Sequence, residues 1–176
     1  FKPYVPEYCR IMRVQRDIPT FMTEAGVDKT NLRQYVDKIL KKEKIKCRCI
    51  RCREIVRYKG KVDYSKVKVK TMHYSASGGN EFFISAEYKD NIVGFCRLRF
   101  PNEYLRKEIV EDSALIRELH VYGSAVGVGK KGDIQHKGVG KRLLQEAEKI
   151  ANTYYKKKMV IISGIGVRGY YKKFGY

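Results

Sequence analysis

The chain has 176 residues, 43% of them hydrophobic and 12% aromatic, which is one domain with an appendage, able to bury roughly 70% of its unfolded surface and too apolar for intrinsic disorder. Thirty-eight Lys and Arg against nineteen Asp and Glu leave a formal charge of +19, beyond what solubility asks of a small domain, so the expected partner is a polyanion: nucleic acid, an anionic membrane surface or a phosphate-rich cofactor. No apolar run approaches the roughly 18 residues of a membrane span, and Phe1-Lys2-Pro3-Tyr4 does not open a secretory leader, which reads as a soluble, cytoplasmic protein.

Residues 1 to 22 are extended in character, with Pro3, Pro6 and Pro19 in a basic stretch, and they begin as a piece of a longer chain would. Leu32, Tyr35, Val36, Ile39 and Leu40 recur at three and four, which predicts a helix with one apolar stripe and a basic end at Lys41 to Lys44. Cys47, Cys49 and Cys52 then crowd into six residues. Five cysteines in all, odd in number and clustered, are not a disulfide framework. Three thiolates this close suit zinc, which takes about four ligands. Cys9 and His73 are both open as the fourth, whereas Cys96 falls on the apolar face of a strand and reads as a core thiol.

Beyond the cysteines, Val67 and Val69 alternate with Lys66, Lys68 and Lys70, the period of a strand with one face buried. Residues 75–80 form a turn with Gly78-Gly79, 81–88 a second strand, and 92–100 a third. Cys96, Leu98 and Phe100 share one face of that third strand and Arg97 and Arg99 the other. Lys89-Asp90-Asn91 makes the link a hairpin. A fourth strand runs over 114–122, a Gly- and Lys-rich loop over 123–134, and a helix over 138–155 with Val139, Leu143, Leu144, Ala147 and Ile150 on one side. An apolar strand at 159–162 and a short helix at 167–174 complete a mixed α/β pattern.

The most informative stretch is Gln135-His136-Lys137-Gly138-Val139-Gly140-Lys141, a Q-x-x-G-x-G pattern between a strand and an amphipathic helix. Its glycines allow close backbone approach, and unpaired N–H groups with the positive dipole end favour a phosphate, aided by Lys137, Lys141 and Arg142. The competing reading is a glycine loop that merely caps the helix. A dinucleotide fold fails because no acidic residue ends a following strand, and a Walker loop fails for want of G-K-S/T.

The run from Glu118-Leu119-His120-Val121 through this loop to Tyr170-Tyr171-Lys172-Lys173-Phe174-Gly175-Tyr176 resembles the GNAT acetyltransferase core. Arg117 to Gly123, Gln135 to Gly138, Ile162 to Gly166 and Arg168 to Tyr171, with Arg16-Asp17-Ile18-Pro19 and Asn31-Leu32-Arg33 upstream, resemble the Elongator catalytic-subunit family in its archaeal form, over nearly the whole chain. The resemblance implies a GNAT fold, a mixed and mostly antiparallel central sheet with flanking helices, preceded by a small zinc-stabilised linker. It divides the chain into residues 1–62, the end of a radical-SAM region and a basic linker, and 63–176, an acetyltransferase domain without its final strand. That family joins a radical-SAM domain to a GNAT domain and modifies the wobble uridine of tRNA with carbons from acetyl-CoA. The C-x3-C-x2-C iron–sulfur motif is absent here, so the iron–sulfur cluster and S-adenosylmethionine would belong to a domain outside this chain.

Carried over by residue, the resemblance places acetyl-CoA along Glu118, Leu119, His120 and Val121, on Val139, Gly140 and Lys141 after Gln135 and Gly138, and against Tyr171, which faces the thioester. A tyrosine hydroxyl there can protonate the leaving thiolate. Tyr170 is expected to pack, His120 to give backbone contacts, and Glu118 either to act as a base or to line the strand. The same resemblance makes zinc structural, held by Cys47, Cys49 and Cys52. Basic faces at Lys66, Lys68 and Lys70, at Arg97 and Arg99, and at Lys156-Lys157-Lys158 would contact tRNA phosphates, with Tyr58, Tyr64 and Tyr74 available to stack on bases. Two other readings stand beside this one: a separate GNAT enzyme acetylating a lysine or small amine, and a zinc-containing RNA-binding module without catalysis.

Overall fold

The computed structural model describes residues 1–14, 19–123 and 138–176. Gln135 and Lys137 of the loop, and Arg16, Asp17 and Ile18 upstream, lie outside the described residues. The chain forms two compact units, Phe1–Arg53 and Glu54–Tyr176.

In the first unit the three-and-four spacing makes helix α1, Leu32–Lys42. Polar links rather than a deep core hold it. Lys2, only 2% exposed, gives its ammonium to Asp37 at 2.6 Å, and Arg33 donates to the Ile11 carbonyl at 2.7 Å. Tyr35 and Ile39 on the apolar stripe remain 49% and 55% exposed. Helix α2 is one turn, Ile50–Arg53, tied back by Ile50 N–H to the Cys9 carbonyl at 2.9 Å. Glu7 accepts from Arg48 and forms an ion pair with Arg53.

The second unit is built on a five-stranded sheet in the order β1-β2-β3-β4-β5, with β1 Lys68–Ala76, β2 Gly79–Tyr88, β3 Asn91–Phe100, β4 Ser113–Val121 and β5 Lys158–Ile161. The first three pairings are antiparallel and β4 pairs with β5 in parallel. Both hairpins turn on two residues with positive φ, Ser77-Gly78 and Lys89-Asp90, the sense that matches the right-handed twist of the strands. The Asn91 side chain secures the second by donating to the Lys89 carbonyl at 2.8 Å. Helix α3, Val139–Thr153, is the crossover between β4 and β5 and packs across β2, β3 and β4. It buries Val139, Leu143, Leu144, Ala147 and Ala151. Tyr154 just beyond it meets Phe82 and Phe100, so by alternation Ile84, Cys96 and Leu98 share the helix-facing side, and all three are fully buried. The sequence-expected helix at 167–174 is a 3-10 turn, Ile165–Val167, followed by α4, Arg168–Lys172. No helix among the described residues is long and apolar enough to cross a membrane.

Residues 54–62 pack within the second unit. Ile55 is 4% exposed, and the Glu54 carboxylate accepts from the Tyr122 hydroxyl at 3.3 Å.

Candidate functional site

The parallel ladder between β4 and β5 covers four residues, Ser113↔Lys158 to Ile116↔Ile161, closed by Ile162 N–H to the Ile116 carbonyl at 2.9 Å. Strand β4 then continues without β5. Burial changes at that point: Ser113 to Ile116 are buried, whereas Arg117, Glu118 and His120 are exposed and Leu119 and Val121 half-buried. A strand that loses its neighbour in mid-course offers backbone N–H and C=O groups along one edge, and an extended chain of amides can pair with them. Glu118, Leu119, His120 and Val121 all lie on this open stretch.

Helix α3 begins beside it. Gly138 is its N-cap with φ +73°, a left-handed conformation that side chains resist. Gly138 has no side chain with which to cap the first turn, and the N–H groups of such a turn favour an anion. Gly140, in that first turn, has a different reason to be glycine. A Cβ there would overlap the Tyr170 hydroxyl oxygen and stand 3.7 Å from Val121 Cγ2. Gly140 thus lets Val121, the helix start and Tyr170 come together. Lys141 is exposed at the same turn, while Arg142 is committed to the Val67 carbonyl at 2.8 Å and ties the entry of β1 to the helix.

The two tyrosines of α4 take different places. Tyr170 is 38% exposed with its hydroxyl over Gly140. Tyr171 is 8% exposed and lines a cavity of about 390 Å³ with Met159, Val160, Ile161, Ser163 and Arg168. Burial pushes the hydroxyl pKa of both above the usual tyrosine range, and for Tyr171 nearby Cys96 and Tyr170 add to the shift. A hydroxyl that holds its proton this firmly can still donate it to a strongly basic leaving group. Their rings meet edge to face at 5.2 Å.

On the sheet face away from α3, Arg97 Nε donates to Glu118 Oε2 at 3.1 Å. Arg99 and Arg117 both donate to Oε1 of Glu81, which is 1% exposed. Arg97 and Arg99, expected on a basic solvent face, are therefore 18% and 15% exposed and engaged with carboxylates. Lys156 donates to the Glu111 carbonyl and lies over the Phe100 ring. Lys66 and Lys68 remain exposed. Sequence reasoning missed Glu81, Arg117 and the placement of Tyr170. A signal for Arg117 existed, since Arg117-Glu118 breaks the alternation of the strand.

In the first unit the sulfurs of Cys47, Cys49 and Cys52 lie within 4.8 Å of one another, which fits three corners of a tetrahedral thiolate site. Hydrogen bonding from Cys52 is the main reason the Cys49 thiol is lowered to about 5, and the same bond pushes Cys52 up. A soft cation would take the place of the thiol protons in such a cluster. Cys9 Sγ is outside the group. His73 bonds Asn80 at 2.9 Å and stacks on Phe82. Cys96 is fully buried, its pKa pushed up to about 12 by burial, as a core thiol.

Comparison with known proteins follows the same lines. The family model described as Acetyltransferase (GNAT) family matches residues 51–176. The chain is 45% identical to the tRNA uridine(34) acetyltransferase of Methanocaldococcus jannaschii, over 99% of this chain and 34% of that protein. It is 41% identical to Elongator complex protein 3 of Homo sapiens, over 98% of this chain and 33% of that protein. The solved structure of archaeal Elp3 from Methanocaldococcus infernus, with an N-terminal deletion, superposes with a TM-score of 0.88 at 43% identity, over 99% of this chain and 43% of that one. The chain thus spans about a third of the length of the curated relatives it matches. With a parallel pair opening at mid-strand beside a glycine-started helix, and a family model over most of its length, the chain belongs to the GNAT acetyltransferase family.

Proposed function

We propose that the chain is the acetyl-CoA-binding acetyltransferase part of an enzyme that modifies the wobble uridine of tRNA, and that acetyl-CoA cleavage depends on tRNA. The observation that carries the reading is the opening of β4 from β5 after Ile116, beside the glycine-started helix α3. The names of the relatives, tRNA uridine(34) acetyltransferase and Elongator complex protein 3, support the acceptor.

In this reading the backbone of Glu118, Leu119, His120 and Val121 pairs with the pantetheine amides. The pyrophosphate sits on the N–H groups of Val139, Gly140 and Lys141, next to Gly138 and Gln135. Tyr171 protonates the coenzyme A thiolate, and Tyr170 shapes the space above Gly140. Cys47, Cys49 and Cys52 hold a zinc ion whose role is structural. Residues 1–62 close off a radical-SAM region and form the linker, and residues 63–176 make the transferase domain. The partner domain with the iron–sulfur cluster and S-adenosylmethionine belongs to the longer protein, whose work on tRNA places it in the cytoplasm.

Calorimetric titration with a non-hydrolysable acetyl-CoA analogue, with and without tRNA, tests the reading. Tight binding of the analogue and RNA-stimulated thiol release from acetyl-CoA are expected. Absence of analogue binding refutes the transferase reading, and cleavage indifferent to RNA refutes the acceptor.

A further inference from the structure

The open half of β4 has two faces, and the acetyl-donor site takes up only one. Val121 stands on the α3 side next to Gly140, and Leu119 pairs across to buried Cys96. Strict alternation would put Arg117 on that side as well. The register instead runs from Arg97↔Glu118 directly to Leu98↔Ile116, a one-residue bulge at Arg117. Bulges of this kind re-aim a side chain, often beside an active site. Here the bulge brings two consecutive residues to the same face. Glu118 accepts from Arg97, which lies over the Phe83 and Phe95 rings, and Arg117 donates to Glu81 in the neighbouring row. Both side chains remain 46% exposed.

The arrangement beneath them is held by hydrogen bonds. Glu81 is almost fully buried and gives a single oxygen, Oε1, to Arg99 and Arg117, while Oε2 has no hydrogen-bond partner among the described residues. Arg99 is held in turn by the carbonyls of Ala76 and Ser77 at 2.9 and 3.0 Å. A buried carboxylate so placed holds the Arg117 guanidinium at the surface. Next along the strand, the exposed His120 ring packs against Phe95 and Tyr122 at 5.8 and 4.5 Å.

We propose that Arg117, Glu118 and His120 form the acceptor subsite and that it reads the imide edge of a uracil base. The proposal rests on the tRNA reading above and names the residues that select the base. Uracil offers the acceptor O4 beside the donor N3–H. A guanidinium adjacent to a carboxylate complements that pair, with Arg117 donating to O4 and Glu118 accepting from N3–H. Cytosine presents a donor and an acceptor at the same two positions and meets each group with the wrong sign. The His120 ring supplies a face for stacking. A lysine ammonium or small amine is disfavoured here, because three guanidinium groups outnumber the two carboxylates of the cluster.

The test uses anticodon stem-loop RNAs carrying uridine, 3-methyluridine or cytidine at the wobble position, with affinity read by fluorescence anisotropy in the presence of the acetyl-CoA analogue. The uridine RNA is expected to bind about tenfold or more tightly than the other two, in line with the discrimination that paired donor–acceptor contacts give. Arg117→Ala should bring the three affinities within about twofold of one another. Arg117→Lys keeps the charge beside Glu81, guards against a folding defect, and should retain RNA affinity while losing most of the base preference. Equal affinity of the parent for the three RNAs overturns the subsite and leaves the RNA reading standing, and so does a parent-like preference in Arg117→Ala. Failure of the parent to bind any of the RNAs overturns both.

Discussion

Glutamate at position 140 is the sharpest perturbation of the proposed acetyl-donor site. Gly140 is in the first turn of α3, where even a methyl group would press on the Tyr170 hydroxyl and touch Val121. Gly140→Ala isolates the steric part. Overpacking costs about 1–3 kcal/mol, offset in the folded chain by roughly 1 kcal/mol of helix propensity gained on replacing glycine. The alanine variant should therefore melt close to the parent while binding acetyl-CoA roughly tenfold more weakly, because Tyr170 must leave its place over the helix start. Gly140→Glu adds a negative charge at the expected pyrophosphate position. At about 6 Å and an effective dielectric near 20, each phosphate charge repels it by roughly 3 kcal/mol. Two such charges, about 6 kcal/mol together, plus the roughly tenfold steric cost predict a loss of about 10⁵-fold. Calorimetry with the non-hydrolysable analogue reads both variants, and circular dichroism confirms that they fold. A folded Gly140→Glu chain that binds the analogue as tightly as the parent would refute the assignment of this turn to phosphate.

Elemental analysis should find about one zinc per chain, with metal lost from Cys49→Ser and melting lowered by a chelator; metal-free protein whose melting a chelator leaves unchanged would remove the metal site. RNA affinity should fall steeply with salt as counterions are released, and charge reversal at exposed Lys66 and Lys68 should flatten that slope; a slope near zero in the parent would point to a protein acceptor. Tyr171→Phe should lower RNA-dependent acetyl-CoA cleavage by roughly 10²-fold with little change in cofactor affinity. Because burial raises the Tyr171 pKa, the protonated, donating form persists to higher pH than for a free tyrosine. The alkaline limb of the rate profile should accordingly lie above about pH 10, and a tyrosine-dependent limb below pH 9 would contradict the assignment.

Much of this protein was legible along the chain because the signals are local. The alternation of Val67 and Val69 with lysines and the three-and-four spacing of α1 and α3 depend on residues a few positions apart, and these elements formed close to where the patterns put them. Chain order and the Tyr170-Tyr171…Gly175 segment likewise carried the family resemblance. The thiol cluster was legible for the same reason, since three cysteines within six residues must lie near one another whatever surrounds them. Tertiary structure decided what depends on which strand ends up beside which. The length of the β4–β5 ladder sets where the strand opens, and neither strand's sequence marks the break after Ile116. The different placement of Tyr170 and Tyr171 follows from the approach of α4 to Gly140, a contact across thirty residues of chain. Arg97 and Arg99 read as solvent-facing cations until β2, β3 and β4 align them with Glu118 and Glu81. A charge is assigned to solvent or to a partner by its neighbours across the sheet, and those neighbours are chosen by register, which the folded chain settles as a whole.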